Sequence, residues 1–255
     1  MLKDTLTGLR YSLASPFSQV YCAKKRWHQE RNEWESLGIA QTDMRRKTYV
    51  VSRTGAVCVT VSKCANTTLK FMLHAADFDD PRSVHTEDYF LTRLVDTGRT
   101  LNDLLDGTER IFAFARHPVA RFWSAYYTRI FNVRNMNDIV SDISAHFGIQ
   151  KSATYPPEIV IEYIKASSPI DMDEHIRPQW ACTGIEKLPI NYVGRVETMQ
   201  DDVMKLLEMG YIDCGHVQRF KHLNESAKPN IPDKDRLDRV IRDAYAKDME
   251  LFGYD

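Results

Sequence analysis

The chain has 255 residues, 43% of them hydrophobic and 27% charged, a length that can bury one full core and the balance of an ordinary globular protein. Its 34 basic and 35 acidic side chains leave a net charge of −1, so no molecule-wide field recruits nucleic acid, and any anion site has to be local. Five scattered cysteines without a CxxC pair argue against a zinc site and a disulfide framework, and no apolar run reaches the roughly 20 residues of a membrane span.

Residues 1–47 read as an irregular or partly helical lead-in, polar and rich in aromatics, ahead of a single domain over 48–255. The start has neither a long apolar core nor a cleavage site, so no signal peptide is expected. With the scattered cysteines this points to a reducing compartment, the cytoplasm. The segment Lys24–Arg31 and the run Arg45-Arg46-Lys47 read either as a solvated face or as a weak peripheral contact with an anionic surface such as the inner membrane.

Thr48–Ser52 and Ala56–Val61 are β-branched runs divided by Arg53-Thr54-Gly55, which predicts a hairpin or consecutive strands, the second buried on both faces. Thr67–Ala76 carries a helical stripe of Leu69, Met72 and Leu73. A further apolar run, Arg110–Ala115, ends at Arg116, and Pro118 opens a helix on which Val119, Phe122, Trp123, Tyr126, Tyr127 and Ile130 recur. Asn137–Phe147 and Pro157–Ala166 read as helices. Ile190–Val196 is another strand, followed by a helix near Thr198–Met209 that Gly210 stops, and the last helix covers Lys234–Phe252. Strands alternating with helices predict an α/β fold with a central, mostly parallel sheet flanked by helices. Ligands of such sheets bind at the carboxyl ends of the strands.

The first strand end reads Val61-Ser62-Lys63-Cys64-Ala65-Asn66-Thr67-Thr68. A strand runs through a loop of small residues into a helix, so backbone N–H groups and the positive end of the helix dipole point into the loop. Thr67 and Thr68 add hydroxyls and Lys63 adds a full charge, which makes a phosphate cradle. It is not a Walker A loop, because it has no glycine and its lysine comes first. A buried strand followed by a Thr-capped helix is the plain structural alternative. The second end reads Arg116-His117-Pro118-Val119-Ala120-Arg121-Phe122-Trp123-Ser124. A forked guanidinium at a strand end, with the Ser124 hydroxyl on the following helix, suits a terminal phosphate. A surface ion pair is the alternative for Arg116.

Together the two segments resemble the nucleotide-binding elements of Golgi-type carbohydrate sulfotransferases, a P-K-x-x-x-[ST] loop and an R-[DEH]-P-x-x-R-x-x-S-x-[YF] element. The likeness is strongest to the chondroitin 4-O-sulfotransferase group, and Ser62 stands where that family carries proline. It extends through Val84-His85-Thr86, Asp173-Glu174-His175-Ile176-Arg177-Pro178-Gln179, Tyr192-Val193-Gly194-Arg195-Val196-Glu197-Thr198 and the terminal helix to Tyr254. The resemblance implies a P-loop-like three-layer fold and the donor PAPS (3′-phosphoadenosine 5′-phosphosulfate), with no metal. Lys63, Ala65, Asn66, Thr67 and Thr68 would hold the 5′-phosphosulfate, and Arg116 and Ser124 the 3′-phosphate. Asn224 and Ser226 would reach the ribose or the 3′-phosphate from a covering segment. Lys63 would stabilise the leaving oxygen, His85 would be the base, and His175 and Arg177 would contact substrate. The implied reaction moves a sulfuryl group onto a hydroxyl of a carbohydrate or glycoconjugate and releases PAP. A P-loop-type nucleotide kinase or phosphotransferase, and a PAP-binding protein without catalysis, are the alternatives.

Overall fold

The computed structural model describes residues 16–78, 91–131, 138–213 and 231–255. At its centre lies a four-stranded sheet in the spatial order β1 (Thr48–Val50), β2 (Val57–Val59), β3 (Ile111–Ala115) and β4 (Tyr192–Arg195). Along the chain the helices are α1 (Pro16–Ser36), α2 (Gln41–Lys47), α3 (Asn66–Phe78), α4 (Pro118–Tyr126), α5 (Asp138–Phe147), α6 (Pro157–Ala166), α7 (Gln179–Thr183), α8 (Met199–Glu208), α9 (Lys234–Ala244) and α10 (Ala246–Leu251).

β1 and β2 form a hairpin, antiparallel with Tyr49 opposite Cys58. The Gly55 N–H closes its turn on the Val51 carbonyl at 2.8 Å, with Gly55 at φ +72°, a conformation that strains any side chain. β2, β3 and β4 run parallel, with Cys58 opposite Phe112 and Phe112 opposite Tyr192. Each parallel step crosses over through helices, as parallel pairing requires.

A period of two along β2 and β3 divides the core. Val57, Val59, Ile111 and Ala113 pack with Trp27, Trp34, Leu94 and Leu101. Cys58, Phe112 and Phe114 pack with Leu69, Met72 and Leu73 of α3 and with Val203 and Leu206 of α8. Covered on both sides, these strands have no solvent face, which is why they read as almost unbroken apolar runs.

Residues 16–47 take part in that core. The Trp27 and Trp34 rings are fully buried, and their indole N–H groups donate to the Arg99 carbonyl (3.1 Å) and to Asn102 Oδ1 (2.8 Å). Burying two such rings contributes roughly 2–3 kcal/mol each. Beyond the strand ends, α4, α5, α6 and α9 pack around Phe122, Tyr126, Ile139, Val160, Leu237 and Ile241. That layer anchors α4, the helix that leaves β3.

The terminal helix, expected as one piece from Lys234 to Phe252, divides at Tyr245 (φ −114°, ψ 27°). The break lets the Tyr245 hydroxyl donate to the Ile176 carbonyl at 2.5 Å and turns Asp248 inward. Its carboxylate accepts the N–H groups of Gln179 (2.7 Å) and Trp180 (2.8 Å), so the C-terminal tail caps the start of α7.

Candidate functional site

The loop after β2 is curled by two left-handed residues that are not glycine, Lys63 (φ +67°) and Ala65 (φ +53°). Each such residue costs roughly 1–2 kcal/mol, and the conformation persists only where the surroundings enforce it. Two arginines do so. Arg121 Nε donates to the Ser62 carbonyl at 3.0 Å, and Arg116 Nη1 donates to the Lys63 carbonyl at 3.3 Å. With those carbonyls engaged, the first amides of α3, which have no acceptor within the helix, are left to meet an anion. Asn66 Oδ1 is buried beside them with no hydrogen-bond partner among the described residues.

Lys63 Nζ donates to Thr128 Oγ1 at 2.5 Å. Burial, and after it the charges of Arg129, Arg116 and Arg121, draw its ammonium down to a pKa of about 8, with Asp173 opposing. A lysine among three guanidinium groups is a site built for a ligand with negative charge. Thr128 also donates to the Ser124 carbonyl at 2.7 Å, so α4 brings Ser124 and Lys63 to either side of one hydroxyl. Thr128 and Arg129 lie on a π turn, Tyr127–Phe131, that widens the end of α4.

Arg116 leaves β3 in a two-way clasp. Its N–H donates to Gln179 Oε1 and its carbonyl accepts from Gln179 Nε2, both at 2.9 Å. The next residue, His117, donates its backbone N–H to Glu197 Oε1 at 2.8 Å, and Tyr254 donates its hydroxyl to Glu197 Oε2 at 3.1 Å. Glu197 therefore holds the chain at the turn into α4 through a backbone amide and a phenol.

Arg121 is the hub. Fully buried, it spends its donors on three carbonyls, those of Ser62 (3.0 Å), Glu174 (3.0 Å) and Arg177 (2.7 Å). One guanidinium thus ties the lysine loop to the segment Asp173–Arg177. A second tie runs through Lys47, whose Nζ meets Ser62 Oγ and Glu174 Oε2, both at 2.5 Å, while Ser62 Oγ donates to Glu174 Oε1 at 3.2 Å. Ser62 is therefore more than a stand-in for a rigid proline.

On that tied segment His175 Nδ1 lies 2.7 Å from Asp173 Oδ1, and its own backbone N–H donates to the same oxygen at 2.8 Å. Nε2 lies 2.9 Å from Arg129 Nη2. A guanidinium only donates, so Nε2 is the acceptor and Nδ1 carries the hydrogen. Burial works to raise the pKa of Asp173. The two hydrogen bonds from His175 and the charge of Arg129 oppose it, and the carboxyl is held below the usual range.

A model of the sulfotransferase family matches residues 46–255, which takes in every residue of this cluster. The chain belongs to the sulfotransferase family. No curated protein and no solved structure matches it. Among the described residues of the sulfotransferase, no group of His, Cys, Asp and Glu could hold a metal, and no helix is long and apolar enough to cross a membrane.

Of the residues singled out in the sequence, the sulfotransferase brings Lys63, Ala65, Asn66, Thr67, Thr68, Arg116, Ser124 and His175 to the carboxyl ends of β2 and β3. Arg177, expected to contact substrate, is instead a buried clamp. Its guanidinium is taken up by Asp43 and by the carbonyls of Pro169, Ile170 and Met172. His85, Asn224 and Ser226 lie outside the described residues. Sequence reasoning missed Thr128 and Arg129, and gave Asp173 and Gln179 no role beyond their place in the matching stretch. Thr128 left one signal, a hydroxyl one helical turn past Ser124.

Proposed function

We propose that this sulfotransferase moves a sulfuryl group from PAPS to a hydroxyl of a carbohydrate or glycoconjugate, with PAP leaving. The observation that carries this reading is Lys63, held left-handed at the start of α3, with Arg116 on its carbonyl and the charges of Arg129, Arg116 and Arg121 acting on its ammonium. The loop stands where a P-loop would, but its curl comes from Lys63 and Ala65 in place of glycines. Ala65, Asn66, Thr67 and Thr68 bind the 5′-phosphosulfate, and the orphaned Asn66 Oδ1 is a polar atom such a ligand satisfies through water or a donor group. Arg116 and Ser124 take the 3′-phosphate, and Asn224 and Ser226 are assigned to the nucleotide by resemblance alone. The scattered free cysteines support a cytoplasmic setting.

Transfer of this kind is positioning plus charge stabilisation. Lys63 meets the bridging oxygen as negative charge grows there, an interaction stronger in the transition state than in the ground state. The acceptor hydroxyl gives up a proton to a base. Resemblance points to His85 for that role, and the described geometry offers a second histidine, His175. Calorimetry tests the donor assignment. PAP binds without magnesium and ATP–magnesium does not; tight ATP–magnesium binding with no response to PAP favours the kinase reading and overturns this one.

A further inference from the structure

We infer that His175, oriented by Asp173, is the base that takes the acceptor proton at Nε2. The inference rests on the sulfuryl-transfer reading of the site and names its acceptor side.

Three observations converge on this ring. Its tautomer is fixed, because Asp173 Oδ1 takes Nδ1–H at 2.7 Å and the His175 backbone N–H at 2.8 Å, leaving the lone pair on Nε2. Its position relative to the lysine is fixed as well. Arg121 holds the carbonyls of Ser62 and Glu174, the residues next to Lys63 and His175, on one guanidinium. Lys47 binds Ser62 and Glu174 a second time through their side chains. Finally, Nε2 meets Arg129 Nη2 at 2.9 Å, and Arg129 is the chain neighbour of Thr128, whose hydroxyl accepts from Lys63 Nζ. A basic nitrogen, a leaving-group cation and a donor loop are thereby held in one frame, the condition under which a base contributes to rate.

The step balances without another reactant. The acceptor O–H bond breaks, its proton goes to Nε2, and the oxygen forms a bond to sulfur. The bond from sulfur to the phosphate oxygen breaks, and its electron pair stays on PAP opposite Lys63. Asp173 remains a carboxylate and stabilises the imidazolium. Arg129, an exposed residue of the π turn, yields Nε2 to the incoming hydroxyl. The charged groups that face the ring are Asp173 and Glu174 of its own segment (Glu174 Oε1 is 3.9 Å from Nε2) and Arg129 from the π turn, with Lys63 and Asp142 acting on Asp173.

The test uses His175→Ala, His175→Gln and Asp173→Asn, with the exposed His28→Ala as the control. PAP affinity is measured by calorimetry, and PAP formation from PAPS is followed in aqueous buffer with desulfated chondroitin, which offers sugar hydroxyls. Both His175 variants should bind PAP within a few-fold of the native chain yet form PAP on the order of 10²–10⁴-fold more slowly. Added imidazole should restore part of the rate of His175→Ala. The acid limb of the native pH–rate profile, where a histidine base is lost to protonation, should vanish in that variant. Nitrogen NMR of the ligand-free protein should show the Nδ1–H tautomer at His175 and its loss in Asp173→Asn. His175 variants that keep both the native rate and the acid limb overturn the inference and leave the donor assignment standing. A native chain that neither binds PAP nor consumes PAPS overturns both.

Discussion

The two sides of the site are built in opposite ways. The lysine loop, from Val61 to Thr68, carries its chemistry in one stretch of chain, with two left-handed residues, a helix start and one ammonium, and needs Arg116 and Arg121 only to hold its curl. The facing segment, from Asp173 to Gln179, is held mostly from elsewhere. Its carbonyls are bound by Arg121 and Tyr245, its last amide by Asp248, and its Arg177 by Asp43, a residue 134 positions away. A loop that works through local amides can be recognised wherever its residues occur in order. A segment that works through distant partners acquires its role only when the chain has folded.

That contrast can be broken from several directions. The largest effect is expected from Lys63→Ala, which removes the charge that grows in importance during transfer. Turnover should fall on the order of 10²–10³-fold while PAP binding changes far less; near-native turnover in single-turnover assays would reduce Lys63 to a surface residue. Burial and neighbouring positive charges draw the same ammonium down to about 8, so turnover should fall steeply, and PAP affinity only slightly, as pH rises through that value and the cation is lost. Lys63→Arg should remove the decline, because a guanidinium keeps its charge there.

Arg121→Met asks whether the two sides depend on one hub. Three carbonyls lose a charged donor, offset in part because a charge is no longer buried, and the unfolding free energy in urea should fall by about 3 kcal/mol. No loss of stability would show that the two segments hold themselves in place. Arg116→Ala is a milder change. A charged hydrogen bond is worth about 1.5–3 kcal/mol, so PAP should bind roughly tenfold to a hundredfold more weakly, with adenosine 5′-phosphosulfate much less affected. Equal losses for the two nucleotides would remove Arg116 from the 3′-phosphate.

The smallest change sharpens the account of the loop. Ala65→Gly relieves a left-handed alanine at φ +53° but loosens the unfolded chain, so a gain below about 1 kcal/mol is expected in urea denaturation. A clear loss would mean that the methyl group, which packs partly buried against the cluster of Val61, Cys64, Cys182 and Val196, matters more than the strain.

Much of the fold was legible because burial and periodicity are local signals. Val57–Val59 and Ile111–Ala115 are apolar on both faces, α3 and α4 carry their stripes at helical spacing, and Gly55 and Gly210 mark turns that only glycine makes easily. Lys63 and Arg116 could be picked out because each follows a strand, Lys63 in the loop after β2 and Arg116 directly after β3, and the end of a strand in a parallel sheet is a ligand position by topology. Tertiary structure decided the rest. Trp27 and Trp34 look like any aromatics of a polar lead-in until Asn102 and the Arg99 carbonyl meet their indoles. The terminal helix keeps its apolar stripe through Tyr245, yet it breaks there because a hydroxyl bond to Ile176 and the capping of α7 by Asp248 outweigh one more turn of helix. Arg177 and His175 are two residues apart and equally polar in the sequence. One became a buried clamp and the other an oriented imidazole, because hydrogen-bond partners are set by distance in space and not by separation along the chain.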